Sequence, residues 1–168
     1  FTIMDAHTGA IVASSTYPTF NPNDLNTLTN YLNPLVSYTY EPGSTMKIFS
    51  WASAMEDGIY NGQDTYKSGS IEVADVVISD YNKVGWGEIT FDTGFMYSSN
   101  VAASILAKNL GREKLLNYYN KFGFGQKTGI TLSGELAGTT KFKYESEVAT
   151  ASFGQGGVTI TPIQMLQA

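Results

Sequence analysis

The sequence predicts an α/β protein of the α+β type, with strands at the front and helices through the middle. The opening run "FTIMDAHTGAIVASS" sets two apolar stretches around a turn ending at Gly9, the pattern of a β-hairpin. Farther on, runs with helix-like starts are closed by Gly58, Gly111 and Gly123. The 168 residues are 42% hydrophobic and 15% charged, a globular composition with enough length for one domain with a real core.

Taken in order, residues 1–15 form the hairpin and residues 16–40, rich in Asn, Thr, Pro and Tyr, read as a long loop. Loops of that length in a compact domain usually serve function or wrap other elements. A helix is predicted from about Ser44 to Asp57, begun at Pro42-Gly43 and stopped at Gly58. "SIEVADVVISDYN" suggests a short strand pair. Helices are predicted from about Thr90 to Tyr97, Val101 to Leu110 and Arg112 to Phe122. "GFGQKTGITLSGELAG" is a glycine-punctuated loop, and "ESEVATASFGQGG" a short helix or turn. "TPIQMLQA" starts a helix, with Thr161 as N-cap, Pro162 at the first helical position and Gln164 completing a capping box. The domain division expected is a first sheet hairpin at 1–15 and a mostly helical part at 40–168. The chain opens inside a strand-like run and stops just after a helix start, so a piece of a longer protein is expected.

Composition excludes several functions. A net charge of -5 argues against a nucleic-acid-binding surface. The absence of cysteine removes disulfides, thiolate metal sites and cysteine nucleophiles. The single histidine, His7, lies in the turn "DAHTGA" and cannot supply a multi-histidine metal site. No run reaches the ~18 apolar residues of a membrane span, and no signal peptide opens the chain.

One residue stands out. The row "MKIFSWASAM" (Met46 to Met55) is apolar apart from Lys47, Ser50 and Ser53, as in a helix buried nearly all round. A lysine there must find a partner, lose its proton or reach water. Ser44 stands three residues before it, on the same helix face, with Cβ atoms ~5–6 Å apart. In the first turn of a helix the backbone N–H groups are unpaired, so a serine oxygen can attack a carbonyl while those groups stabilise the oxyanion. Burial lowers a lysine pKa, and the neutral amine can act as general base for the serine. The plainer alternative is a capping serine and a lysine that snorkels to the surface.

The pair "STMK" (Ser44 to Lys47) is followed by "SSN" (Ser98 to Asn100), the order S-x-x-K then S-x-N of serine β-lactamases and penicillin-binding proteins. Beyond these motifs, "MDAHTGAIVASSTYPTFNPN", "EPGSTMKIFS", "GWGEITFDTGFMYSSN", "FGFGQKTGITLSGE" and "ASFGQGGVTITPIQMLQA" resemble, in order and over essentially the whole chain, the transpeptidase domain of class B penicillin-binding proteins, most like the Gram-positive division transpeptidases. The resemblance implies a penicillin-recognising fold, in which an antiparallel sheet abuts an all-helical subdomain with the active-site cleft between them. It implies a peptidoglycan D,D-transpeptidase that needs no metal or cofactor. Ser44 would be acylated by the D-Ala–D-Ala stem peptide or a β-lactam, and Lys47 would be its base. Ser98 would relay a proton to the leaving nitrogen, and Asn100 would hydrogen-bond Lys47 and the substrate amide. A β-lactamase, a D,D-carboxypeptidase and a non-catalytic sensor or scaffold are the alternatives. The resemblance also implies an upstream membrane anchor, work on the outer face of the cytoplasmic membrane, and a parent in a division or elongation complex.

"KTG" at Lys127 to Gly129 is expected to be a decoy. The family's third motif lies on a cleft strand farther downstream, and would lie beyond Ala168. On that expectation this piece is catalytically inactive or nearly so, and its open sheet edge pairs with another chain or stays mobile. Tyr81 or Trp86 could line the cleft, although a Trp86 packed under its loop is as good a reading. Gln155 is expected in a structural loop near the floor of the site, and Glu135 to be solvated rather than a deacylating base.

Overall fold

The computed structural model describes residues 1–168. β1 (Thr2–Met4) pairs antiparallel with β2 (Ile11–Ser14). Asp5 folds the intervening turn by accepting from the N–H groups of His7 and Thr8 and from the Thr8 hydroxyl. His7 is exposed there. The segment read as a long loop holds a 3₁₀ turn at Leu25–Thr27 and α1 (Pro34–Ser37), with Asn33 as its cap and Pro34 in its first turn. Four residues are too few to produce a helical period, which is why the pattern missed α1.

A 3₁₀ turn at Gly43–Met46 runs directly into α2 (Lys47–Glu56). Then follow β3 (Thr65–Lys67), β4 (Ser70–Val73), β5 (Val76–Ser79) and β6 (Glu88–Thr90). β4 and β5 form the predicted hairpin, nested inside an antiparallel β3–β6 pair. Next are α3 (Phe91–Met96), α4 (Asn100–Leu110), α5 (Arg112–Lys121), β7 (Thr139–Thr140), α6 (Glu145–Ala151), β8 (Val158–Thr159) and α7 (Pro162–Gln167). β7 pairs with β8, so the strands form four separate two-stranded sheets. Strand content is therefore higher than the sequence pattern implies. β3, β6, β7 and β8 are too short for period-two alternation to register, and their partners come from distant sequence.

α2 lies at the centre, packed against α4 and α5. Phe49 joins one buried cluster with Met46, Tyr119, Phe124 and Phe142, while Trp51 and Ala54 join another with Tyr66, Val101 and Leu106. The helix is not buried all round, as its composition suggested: Ile48 and Met55 are 56% and 55% exposed, whereas Ser50 and Ser53 are buried. The two hydroxyls are satisfied inside. Ser50 donates to the Ser152 carbonyl (2.7 Å) and lies 2.8 Å from the Tyr119 hydroxyl, and Ser53 donates to the Phe49 carbonyl (2.6 Å). Small, bonded polar residues can sit where helices approach closely.

The Ser44-bearing turn is braced by the segment after α6. The Gly43 N–H donates to the Gly154 carbonyl (2.9 Å), and the Gly156 N–H donates to Glu41 Oε1 (2.9 Å). Tyr40 and Ile160 exchange two backbone hydrogen bonds. Gly154 has φ +74°, and a Cβ there would lie 2.3 Å from the Gly43 carbonyl oxygen and 2.9 Å from Met46 Cβ. Both the left-handed backbone and the contact demand glycine. Gly154→Ala is expected to cost about 2–4 kcal/mol, from backbone strain plus overpacking. Urea denaturation checks it, and a loss below about 0.5 kcal/mol would show that the contact does not brace the turn.

Candidate active site

Ser44 sits exposed in the 3₁₀ turn, which no side chain caps. The Gly43 N–H is taken by the Gly154 carbonyl, which leaves those of Ser44 and Thr45 for an incoming acceptor. Lys47, the first residue of α2, is only 2% exposed. Its Nζ donates to Ser44 Oγ (3.2 Å), Ser98 Oγ (3.0 Å) and the Ser98 carbonyl (2.5 Å). No carboxylate forms an ion pair with it; the ion pairs of the chain are Arg112–Glu113 and Lys114–Asp57. Burial pulls its pKa down to about 8, against the opposing charge of Asp80.

Ser98 lies between α3 and α4 with φ +55°, left-handed for a residue with a side chain. In that conformation both its hydroxyl and its carbonyl oxygen accept from Lys47. Ser99, not Ser98 or Asn100, is the N-cap of α4, accepting from the Ala102 N–H (3.0 Å). Asn100 opens the helix, and its amide nitrogen donates to the Ser79 carbonyl (2.9 Å) at the end of β5. The expected Asn100–Lys47 hydrogen bond is absent, because α4 starts at Asn100 and its side chain ties that helix to the β4–β5 hairpin. The chain thus brings together Ser44, Lys47 and Ser98, with Asn100 in the next turn.

Asp80 was not singled out in the sequence. It is 1% exposed and accepts from the Gly69 N–H (2.8 Å), the Ser99 hydroxyl (2.8 Å) and the Val101 N–H (3.1 Å). An aspartate in "SDYN" looks like a solvated turn residue, so no local pattern could have flagged it. Trp86 is half-buried, with its ring centroid 4.9 Å from that of Tyr97 and 5.6 Å from that of Tyr81. Trp86 also donates its backbone N–H to Ser68 Oγ, so it packs on its loop.

Lys127 to Gly129 form no strand, and none of their atoms hydrogen-bonds to Ser44, Lys47, Ser98 or Asn100. Instead Glu135 accepts from the Thr128 N–H (2.7 Å), the Thr128 hydroxyl (2.6 Å) and the Gly129 N–H (3.2 Å), closing the loop on itself. Glu135 is only 9% exposed, not solvated as its glycine-rich surroundings suggested. Desolvation pushes its pKa up, but the hydrogen bonds from Thr128 and Gly129, with Lys127 nearby, hold it below the ordinary value on balance. A cavity of about 700 Å³ lies elsewhere, in the 14–38 segment among Tyr17, Phe20, Tyr31 and Tyr38. None of Ser44, Lys47, Ser98 and Asn100 lines it.

The cluster has the parts of a nucleophile–base site: an exposed hydroxyl at a free helix start, a buried amine of lowered pKa, and a second hydroxyl on that amine. Comparison with known proteins gives the family. The family model described as the penicillin binding protein transpeptidase domain matches residues 1–168. The chain is 38% identical over 174 residues to stage V sporulation protein D of Bacillus subtilis (strain 168), covering 98% of this chain and 27% of that protein. It is 33% identical over 169 residues to the peptidoglycan D,D-transpeptidase FtsI of Buchnera aphidicola, covering 97% of this chain and 29% of that protein. Among solved structures it superposes on penicillin binding protein 3 of Mycobacterium tuberculosis, complexed with aztreonam, with a TM-score of 0.88 at 32% identity, covering 98% of this chain and 38% of that one. The chain spans less than a third of the length of these two curated relatives. It belongs to the penicillin-binding-protein transpeptidase domain family, class B.

Proposed function

We propose that this chain carries the nucleophile and base of a peptidoglycan D,D-transpeptidase. The observation that carries the reading is the buried Lys47 amine, which bridges Ser44 Oγ and Ser98 Oγ without a carboxylate partner. The neutral amine takes the Ser44 proton as Ser44 Oγ attacks the penultimate D-Ala carbonyl, with the turn's free N–H groups facing the forming oxyanion. The Ser98 hydroxyl passes a proton from the Lys47 ammonium to the departing D-Ala nitrogen. The carbonyl–nitrogen bond breaks and a Ser44 ester remains. An amine of a neighbouring stem peptide then attacks the ester, returns Ser44 and forms the cross-link. A β-lactam enters by the same attack, but its opened ring remains attached through the acyl group.

Asn100 binds the substrate amide through its Oδ1, while its nitrogen stays on Ser79. In the intact protein we place the site on the outer face of the cytoplasmic membrane, held by an upstream anchor, in a division or elongation complex. The free edge of the β1–β2 hairpin is the natural place for a further strand. Within the chain no helix is long and apolar enough to cross a membrane.

Incubating the full-length protein with penicillin should add one penicilloyl mass, located on the peptide bearing Ser44 and absent from Ser44→Ala. The adduct should persist. Rapid release with turnover would instead identify a β-lactamase or carboxypeptidase, and no adduct on Ser44 would refute the acyl-enzyme reading. Lys47→Ala should slow acylation by about 10²–10⁴-fold, the usual worth of a general base. The pH profile has a definite sign. Burial lowers the lysine pKa, so the reactive neutral fraction grows as pH rises through about 8 and is lost below it. Stopped-flow acylation from pH 6 to 9 checks this, and a flat profile would remove Lys47 as the base.

A further inference from the structure

The acyl-transfer steps above use no carboxylate, yet the turn that carries Ser98 is built on one. Asp80 follows β5 directly and is almost wholly buried. It exchanges contacts with Gly69, donating its N–H to the Gly69 carbonyl (2.8 Å) and accepting the Gly69 N–H on Oδ2 (2.8 Å). Its Oδ1 accepts from Ser99 and from the Val101 N–H in the first turn of α4. One side chain therefore joins the β3–β4 connection, the end of β5 and the start of α4. A charge buried this deeply is retained only with such donors, and a carboxylate at a helix N-terminus is favoured by the dipole.

We propose that Asp80 is a positioning residue of this site: it pins the turn that sets both Ser98 oxygens on the Lys47 amine, and it presents a negative charge to that amine without contacting it. The proposal rests on the acyl-enzyme reading. Ser98 is left-handed at φ +55°, a conformation that costs about 1–2 kcal/mol in a residue with a side chain and needs an external hold. The hold is the Ser99 cap and the Asp80 hydrogen bonds from Ser99 and Val101, the residues that follow Ser98 into α4. Direct contact between carboxylate and Lys47 would keep the amine protonated and useless as a base. Placed one residue away, behind Ser99, the charge only offsets part of the burial of the amine.

No other charged group competes for this role. Glu56 of α2 and Asp57 just after it lie at the opposite end of the helix, and Asp57 is paired with Lys114 of α5. Lys108 lies in the last turn of α4, Glu145 of α6 is exposed, and Glu147 of α6 accepts from the Lys143 and Tyr144 N–H groups. Lys67, Glu72, Asp75, Lys83 and Glu88 of the β3–β6 region are exposed, and Asp92 of α3 accepts from Tyr60 and Gln63. The remaining titratable neighbour of Asp80 is the Tyr66 hydroxyl, which stays neutral because burial raises its pKa, Ser99 opposes the rise and Asp80 adds to it.

The test is the pH dependence of acylation by a fluorescent penicillin in the full-length protein, for wild type, Asp80→Asn and Ser99→Ala, with thermal unfolding measured alongside. Asp80→Asn removes the charge and sets an amide N–H against one of the three donors. Acylation at pH 8 should slow by about 10–100-fold. The midpoint of the acid limb should move down by about one pH unit, because the amine loses the charge that favours its ammonium form. Ser99→Ala keeps the charge, so it should slow acylation and leave the midpoint in place. A merely structural Asp80 would lower the melting temperature or the rate and leave the midpoint unmoved, and that outcome overturns the proposal. If Asp80→Asn does not fold, Ser99→Ala decides: a wild-type rate overturns the proposal, and a slower rate with an unmoved midpoint supports it. Absence of wild-type acylation at Ser44 would instead remove the underlying reading, a result distinct from either.

Discussion

Lys47 donates to two serine oxygens and a carbonyl, with no carboxylate in contact, at a position almost closed to water. An ammonium there gives up hydration without gaining an ion pair, so the neutral form becomes accessible near pH 8. Much of the helical part serves to keep this amine where it is. α2 is wedged between two apolar clusters, one gathered around Phe49 and the other around Trp51. Those contacts fix the helix along its length and so fix its first residue, and with it the distance to Ser44.

The two serines reach the amine by different routes. Ser44 does so locally, since three residues along a helical turn place it on the same face. Its turn is then held from outside, by Gly154 packed on Gly43 and by the Tyr40–Ile160 bridge. Ser98 arrives from a separate part of the chain and adopts a left-handed backbone to present both oxygens. Strain of this kind persists only where neighbours over-determine it. Here the neighbours are the Ser99 cap and the buried Asp80 carboxylate.

Apart from the four-residue α1, which the pattern missed, and α6, read only as a short helix or turn, the helices were legible because each has a local start or stop. Thr90, Ser99 and Thr161 cap α3, α4 and α7, and Gly58, Gly111 and Gly123 follow α2, α4 and α5. The three-residue strands β3 and β6 and the two-residue strands β7 and β8 were not legible, since each is specified by a partner distant in sequence. Glu135 misled for a related reason. Its polar, glycine-rich surroundings suggest solvent, yet loop closure onto Thr128 and Gly129 buries it. The same closure turns Lys127 to Gly129, a motif by spelling, into an ordinary loop.

By itself the sequence determined that Ser44 and Lys47 share a face of one helix start, and that this helix is apolar enough to be buried. It also determined the family, through an ordered likeness along the whole chain. Only the tertiary structure decided that Ser98 bonds the amine by two oxygens, that Asn100 turns to Ser79 instead, and that Asp80 stands behind the turn. The reason is the range of the forces involved. Helix spacing and capping act over three or four residues and are written in local order. Desolvation and buried hydrogen bonding depend on which distant segments close over a group, and no short stretch of sequence records that.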